Sequence, residues 1–474
     1  MSHSPAPPPR ASLLLLAYLA FVSLGLPDGL IGVGWPSIRA DLGVPTEAVG
    51  VVLTAGTVGY LTSSVLAGFT LARLGVGWLL AGSTLLASLA LTGYALTPAL
   101  ALMAGCALLL GLGSGAIDSG LNAYAAGAFG PRHMNWMHAF FGLGVAIGPL
   151  IMTGALSAGL AWRWGYGIVA TAQLALAGAF ALTVRAWRER APARPEALLP
   201  PDPIAPAVLP GPDARVAAPG PAADVRVPAR GPEAPAAVPG PDAAGVRTGL
   251  ADPDAADVRT GMAGPDVADV PRGPDGPGGA DAGRPVRIAD TLRLPAVWLG
   301  GVAFAVYVAI EVAAGLWAFL LLTSGRGLAP AVAGVCVSGY WGSLFVGRVV
   351  QGVVAERLGS TRVLRGSLVG MAAGAALIAL PAPAWVAVAG LLVLGFAAAP
   401  VFPLLTLTTA QRVGRAHADR AIGLQIGAAG LGGALVPAGI GVLVGRTSVQ
   451  ALGPALVVLA AALIALHAAA SRRP

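Results

Sequence analysis

Residues 50–83, GVVLTAGTVGYLTSSVLAGFTLARLGVGWLLAGS, lie without a gap on residues 334–367, GVCVSGYWGSLFVGRVVQGVVAERLGSTRVLRGS, with ten identities. Gly68 matches Gly352, Arg73 matches Arg357 and Gly75 matches Gly359. In each copy an apolar run ends at the Arg-x-Gly and a second one begins behind it. A second correspondence sets Gly142, Gly144 and Pro149 on Gly430, Gly432 and Pro437. The chain therefore reads as two copies of one unit, and the apolar runs decide what that unit is.

About 20 residues at 1.5 Å rise cross a roughly 30 Å hydrocarbon core. Six runs meet that criterion in the first copy: Ser12–Ile38, Glu47–Leu71, Gly77–Leu96, Pro98–Ala126, Trp136–Gly159 and Gly165–Trp187. Six more follow in the second: Ala296–Leu322, Ala331–Ala355, Val363–Leu380, Ala384–Ala410, Ala421–Val444 and Val449–His467. The expected fold is all-α and membrane-integral, twelve spans in two six-helix halves, residues 1–187 and 296–474. Six is even, so both halves start on the same side, as parallel repeats do in secondary transporters with a midplane site between them.

Composition supports the bilayer as solvent. Of the 474 residues 56% are hydrophobic and 11% charged, and mean hydropathy is +0.76. Such a chain would expose too much apolar surface as a globule in water. The segment 188–295 differs, being rich in Pro, Ala, Gly and Asp and lacking any aromatic residue between Trp187 and Trp298. It cannot form a core and reads as a disordered linker; its Val246-Arg-Thr-Gly and Val258-Arg-Thr-Gly repeat fits an expandable spacer.

All 29 basic residues are arginine. A phosphate-binding Gly-Lys-Ser/Thr loop is thereby excluded, and with it a nucleotide-driven pump within this chain. The net charge of +7 is spread along loops instead of gathered on a soluble face, so no nucleic-acid partner is expected. Arg73, Arg132, Arg185, Arg188, Arg190, Arg357, Arg362, Arg365, Arg412, Arg415, Arg420, Arg472 and Arg473 fall on one side, and Arg39, Arg163, Arg326 and Arg446 on the other. The arginine-rich side is expected to be cytoplasmic, with both termini and the linker there and the protein in the cell membrane as a monomer. The Arg10 flank and the run behind it could be read as a signal peptide, but the run passes Asp28 to Trp35 without an Ala-x-Ala site.

Cys106 and Cys336 lie inside apolar runs, the histidines form no His-x3-His pair, and Leu112 breaks a Gly-x-Ser-x-Gly elbow at Ser114. No metal, no cofactor and no enzyme activity are expected.

A charge at mid-bilayer is costly, so an ionisable residue there is a functional candidate. Asp28 and Glu311 fall within one residue of each other under the repeat offset, an acid at matching depth on the first helix of each half. A carboxyl removed from water holds its proton more tightly, which suits proton coupling. The alternative for Asp28, between Pro27 and Gly29, is to satisfy backbone groups at a helix break. Asp118 shares a helical face with Asn122 and Ser114, pointing to a wet surface or to an interhelical hydrogen-bond cluster. Arg348 shares a face with Trp341 and Gln351 and could bind a hydroxylated or anionic solute or neutralise a buried acid. Tyr307, one turn before Glu311, could bond a solute hydroxyl or simply pack. Asn135 could cap the fifth span, and His138 could be solvated beside the cytoplasm or act in the proton or substrate path.

Gly68-x4-Arg73-x-Gly75 and Gly352-x3-Glu356-Arg357-x-Gly359-x2-Arg362 resemble the cytoplasmic loop signature of the major facilitator superfamily. Leu26-Pro-Asp28 with Pro36, Gly111-Leu-Gly113 with Asp118-x3-Asn122, and Asn135-x2-His138-x2-Phe141-Gly142 look like its fucose permease-like sugar:proton symporter branch. Glu311-x3-Gly315-x-Trp317 and Pro400-x2-Pro403 fit the same branch. The resemblance implies that Asp28 is the first-helix proton-coupling acid, that Asp118 links proton and sugar binding, and that Gly68, Arg73, Gly75, Gly352, Glu356, Arg357 and Gly359 form the gating loops. Two positions depart from the pattern: Ala72 stands where the first-half loop usually has an acid, and the fourth-helix acid is Asp where the permease has Glu. The expected function is proton-coupled symport of a small polar solute such as a sugar. A proton-driven exporter and a non-transporting sensor remain as alternatives, and sequence does not fix direction.

Overall fold

The computed structural model describes residues 11–129, 131–188 and 288–471; of the side chains at Arg132, Asn135, Arg188, Gly352, Glu356 and Arg415 nothing is described. Apart from its two ends, the 188–295 segment lies outside the described residues, as do Arg190, Arg472 and Arg473. The described chain is helical throughout: α1 (Ala11–Leu42), α2 (Val49–Leu96), α3 (Leu100–Ala128), α4 (Pro131–Ser157), α5 (Trp162–Arg188) and a short α6 (Ile288–Leu292). The second half continues with α7 (Pro295–Leu320), α8 (Pro330–Leu358), α9 (Ser360–Ala379), α10 (Ala384–Ala398), α11 (Val401–Val413), α12 (Arg415–Arg446) and α13 (Leu452–Ser471).

Eleven stretches of the described residues are long and apolar enough to cross a bilayer. One of them makes two crossings. The 48 residues of α2 would extend about 72 Å as one straight helix, more than twice the roughly 30 Å core. Gly75 divides it, with φ 71° and ψ 164°, a conformation open to glycine and strained for any L side chain. Gly359, its repeat partner, adopts φ 83° and ψ 141° between α8 and α9. The two loop glycines that align in sequence thus turn the chain the same way, and the count becomes twelve. The tenth span is interrupted, α10 ending and α11 beginning around Pro400, whose ring removes a backbone donor.

Pro27 and Pro36 lie inside α1, which runs through both. The alternative reading of Asp28, a helix break, is not seen, since α1 is continuous there. Proline at 27 cannot donate to the Ser23 carbonyl, and Gln173 of α5 offers Nε2 to that oxygen at 3.5 Å. Likewise α4 begins at Pro131, not at the fifth span's expected start. Asn135 therefore sits inside the helix and does not cap it, while Pro131 occupies the first-turn position where a missing N–H costs nothing.

Helices pack through glycines, as expected where lipid offers no hydrophobic force between them. A Cβ on Gly144 would overlap the Val22 carbonyl oxygen, seating α4 on α1; one on Gly432 would overlap the Ala305 carbonyl oxygen, seating α12 on α7. These two glycines are repeat partners doing the same job in each half. Gly59, Gly111 and Gly115 bring α2 and α3 together in the same way. Replacing Gly144 or Gly432 by valine is expected to destabilise by about 1–3 kcal/mol each, read as a lowered unfolding temperature in detergent. Equal stability would show that the helices can shift apart freely.

Two of the four arginines on the sparse side, Arg163 and Arg326, are spent on helix ends. Arg163 donates to the Thr97 carbonyl at 3.0 Å and pairs with Asp41. Arg326 donates to the carbonyls of Ile378, Leu380 and Ala382 at 2.9, 2.7 and 3.2 Å. Both satisfy orphan carbonyls where a helix stops.

Candidate functional site

The halves meet tightly at one end, the one taken as outer from the arginine distribution alone. A Cβ on Gly334 of α8 would overlap Thr153 of α4, and one on Gly50 of α2 would overlap Ala438 of α12. A Cβ on Gly32 of α1 would lie 3.0 Å from the Gly315 carbonyl oxygen of α7, and Ser338 donates to the Ala146 carbonyl at 2.5 Å. At mid-depth the approach loosens. Gly142 of α4 stands 3.9 Å from the Arg348 guanidinium across the seam, measured from its Cβ position. Beyond that, one turn toward the end where Gly75, Gly359 and Gly414 turn the chain, His138 and Trp136 are exposed. This second end is the one the arginine distribution would make inner, and the space between the halves opens toward it.

Asp28 belongs to that space. Its neighbours Leu26, Pro27, Gly29 and Leu30 are buried, yet the Asp28 side chain is exposed and bonds to no described residue. Gly25 and Gly29 press α1 against Phe141, Val145 and Pro149 of α4, and Gly32 presses it against α7. An exposed carboxylate on a helix held on both sides faces water between the halves.

Asp118 is the centre of a polar cluster that the α2–α3 glycine contacts assemble. Tyr60 of α2 donates to Asp118 Oδ2 at 2.7 Å, and Asn122 Nδ2 donates to Oδ1 at 2.9 Å. Asn122 keeps its own Oδ1 buried without a partner. Tyr60 also lies within the electrostatic reach of Asp28. Tyr60 is a site residue that sequence reasoning missed.

In the second half Arg348 and Glu311 face each other, Nη2 to Oε1 at 3.9 Å, both mostly shielded from water. Tyr307 is fully buried; its hydroxyl bonds the Glu311 carboxylate and lies 3.1 Å from the Ala398 carbonyl. It orients Glu311 and has no hydroxyl to spare for a solute. Tyr340 donates to the Glu311 backbone carbonyl at 2.8 Å. Trp341 packs its ring on Gly315 and edge-on to Tyr340, so it joins α8 to α7. Gln351, on the same helix, turns to α9 and α10, accepting from Ser367 at 3.0 Å and donating to the Phe396 carbonyl.

His138 connects the two clusters. Its ring rests edge-on against Phe21, 5.2 Å between centroids, and both Asp118 and Arg348 act on it electrostatically. Asp118, His138, Arg348 and Glu311 thus form a series of ionisable groups from α3 to α7 across the seam. The gating-loop residues stand apart. Arg73 is exposed and packs over the Phe69 ring at 4.0 Å, Arg357 is exposed, and Gly68 has open space around it.

A family model described as Major Facilitator Superfamily matches residues 17–241. No curated protein matches the chain. Among solved structures, that of a point mutant of the nucleoside transporter NupG superposes with TM-score 0.65 at 15% identity, covering 96% of this chain and 100% of that one. A second, titled "Crystal structure of nucleoside transporter NupG", gives TM-score 0.58 at 13% identity with 98% of each chain covered. The chain has the major facilitator fold.

Proposed function

We propose that the protein is a proton-coupled secondary transporter that carries a small polar, hydroxyl-rich solute across the cell membrane by alternating access. The observation that carries this reading is the convergence of Asp28, the Tyr60–Asp118–Asn122 cluster, His138 and the Arg348–Glu311 pair on the space between the halves. Solute hydroxyls have partners there in the Asp118 carboxylate and Arg348. Proton carriers stand beside them, Asp28 without a bonding partner among the described residues and Glu311 held by Tyr307 and Arg348.

The mechanism uses differential contacts in two states. With the outer seam closed, solute and proton exchange with the inner side; parting of Gly32, Gly50 and Gly334 from their partners turns the same groups outward. A proton taken up by Asp28 removes a bare charge from the seam, which lowers the cost of closing it over a dry interior. The sugar assignment rests on the permease-like motifs. The structural neighbours are titled nucleoside transporters, and a nucleoside presents a pentose with the same vicinal hydroxyls, so both classes belong in one substrate panel.

The test is uptake of labelled hexoses, pentoses and nucleosides into proteoliposomes under an imposed pH gradient, for wild type and Tyr60→Phe. Wild type is expected to accumulate at least one member. Loss of a hydrogen bond to a charged group costs about 1.5–3 kcal/mol, so Tyr60→Phe is expected to lower uptake efficiency by roughly tenfold or more with the fold intact. Wild-type efficiency in Tyr60→Phe would take the hydroxyl, and its arrangement of Asp118, out of the site.

A further inference from the structure

A second polar cluster lies far from the seam, at the inner end of the second half. On α13 the residues Leu456, Ala460 and Leu463 are buried at three- and four-residue spacing, and the helix packs on α9. The next position of that stripe is His467. Neither ring nitrogen of His467 touches solvent, and neither has a hydrogen-bond partner. The charges that act on the ring are those of Arg412, at the end of α11, and Arg365, in the second turn of α9. Arg412 is partly buried and Arg365 exposed. Among the described residues neither arginine makes a hydrogen bond or ion pair.

Three basic side chains from three helices thus gather with no counter-charge among the described residues, and one holds a ring whose polar atoms lack a described partner. Two like charges beside an imidazole without a partner favour an anion among them. We propose that Arg365, Arg412 and His467 form a binding site for a phosphate monoester or diester group. Two arginines supply forked donors suited to phosphate oxygens, and the imidazole N–H supplies a third donor once a phosphate oxygen is brought beside it. The site sits at the bundle end that the arginine distribution assigns to the cytoplasm, where basic pockets between spans meet anionic headgroups. Lipid headgroup and soluble phosphate share this chemistry, and the experiment separates them. The site shares no residue with the transport site, so the two readings stand or fall separately.

Thermal unfolding of the full-length protein in detergent tests it, at matched ionic strength, with added phosphatidylglycerol, phosphatidylcholine of the same chains, or inorganic phosphate. Wild type, the Arg365→Gln/Arg412→Gln double variant and His467→Phe are compared. Phosphatidylglycerol is expected to raise the wild-type midpoint by a few degrees and phosphatidylcholine to leave it unchanged. The double variant loses the shift, and His467→Phe retains part of it with its lipid-free midpoint near wild type. An equal shift with inorganic phosphate assigns the site to a soluble phosphate; a shift only with phosphatidylglycerol assigns it to a lipid. Equal response to both lipids, no response to any of the three, or a wild-type shift in the double variant overturns the proposal.

Discussion

Asn at position 28 is expected to reduce solute accumulation from about tenfold per unit of imposed pH gradient to none. One pH unit is worth 1.36 kcal/mol per proton, which at one proton per solute sustains a roughly tenfold concentration ratio. Asp28 is the acid best placed to carry that proton: it is exposed between the halves, bonds to no described group, and sits on a helix whose neighbouring residues are all buried. Asparagine keeps its size and polarity, so packing against α4 and α7 through Gly25, Gly29 and Gly32 is undisturbed. Exchange of labelled for unlabelled solute should therefore continue in Asp28→Asn while uphill accumulation disappears. Accumulation at the wild-type ratio would remove Asp28 from the coupling path and leave Asp118 and Glu311 to carry it.

Gly334→Trp is expected to lose uptake almost entirely by a different route. Even a Cβ at this position would overlap Thr153 of α4, so an indole cannot fit while the outer seam is closed. The clash burdens only that state. A difference of about 3 kcal/mol between two states shifts their ratio roughly 150-fold, and overpacking of this kind reaches that size. The variant should stay folded and open to the outside, binding solute there without delivering it. Cysteine labelling of the seam reads the state directly: Ser338→Cys, next to the Ala146 carbonyl, becomes reactive to an impermeant reagent in the Gly334→Trp background. Continued exclusion of the reagent would show that closure does not pass through the Gly334–Thr153 contact.

Much of this arrangement is legible in the sequence because membrane helices announce themselves by length and the halves by their repeat. Gly75 and Gly359 align, and both turn the chain at positive φ; Gly144 and Gly432 align, and both seat one helix on another. Mid-membrane charge marks Asp28, Asp118, Glu311 and Arg348, and the structure brings the last two together. Contacts between helices distant in sequence are another matter. Tyr60 has no spacing relation to Asp118, 58 residues on; the close approach of α2 and α3 through Gly59, Gly111 and Gly115 lets a hydroxyl bridge them, and that approach is seen only in the structure. Trp341 and Gln351 share a helix with Arg348, yet a side chain's face also depends on which neighbour is nearer, and Gly315 and Ser367 claim them. Pro27 reads as a break until Gln173, 150 residues away from Ser23, is seen to occupy the carbonyl it leaves open.

Proton entry into proteoliposomes, followed with an internal pH dye as solute is added without any imposed gradient, tests carboxylate coupling most directly. Solute-dependent acidification in wild type, absent in Asp28→Asn and in Asp118→Asn, is the predicted result. Solute flux in wild type with no movement of protons would contradict it and leave a facilitator whose acids serve only to hold its helices and bind its solute.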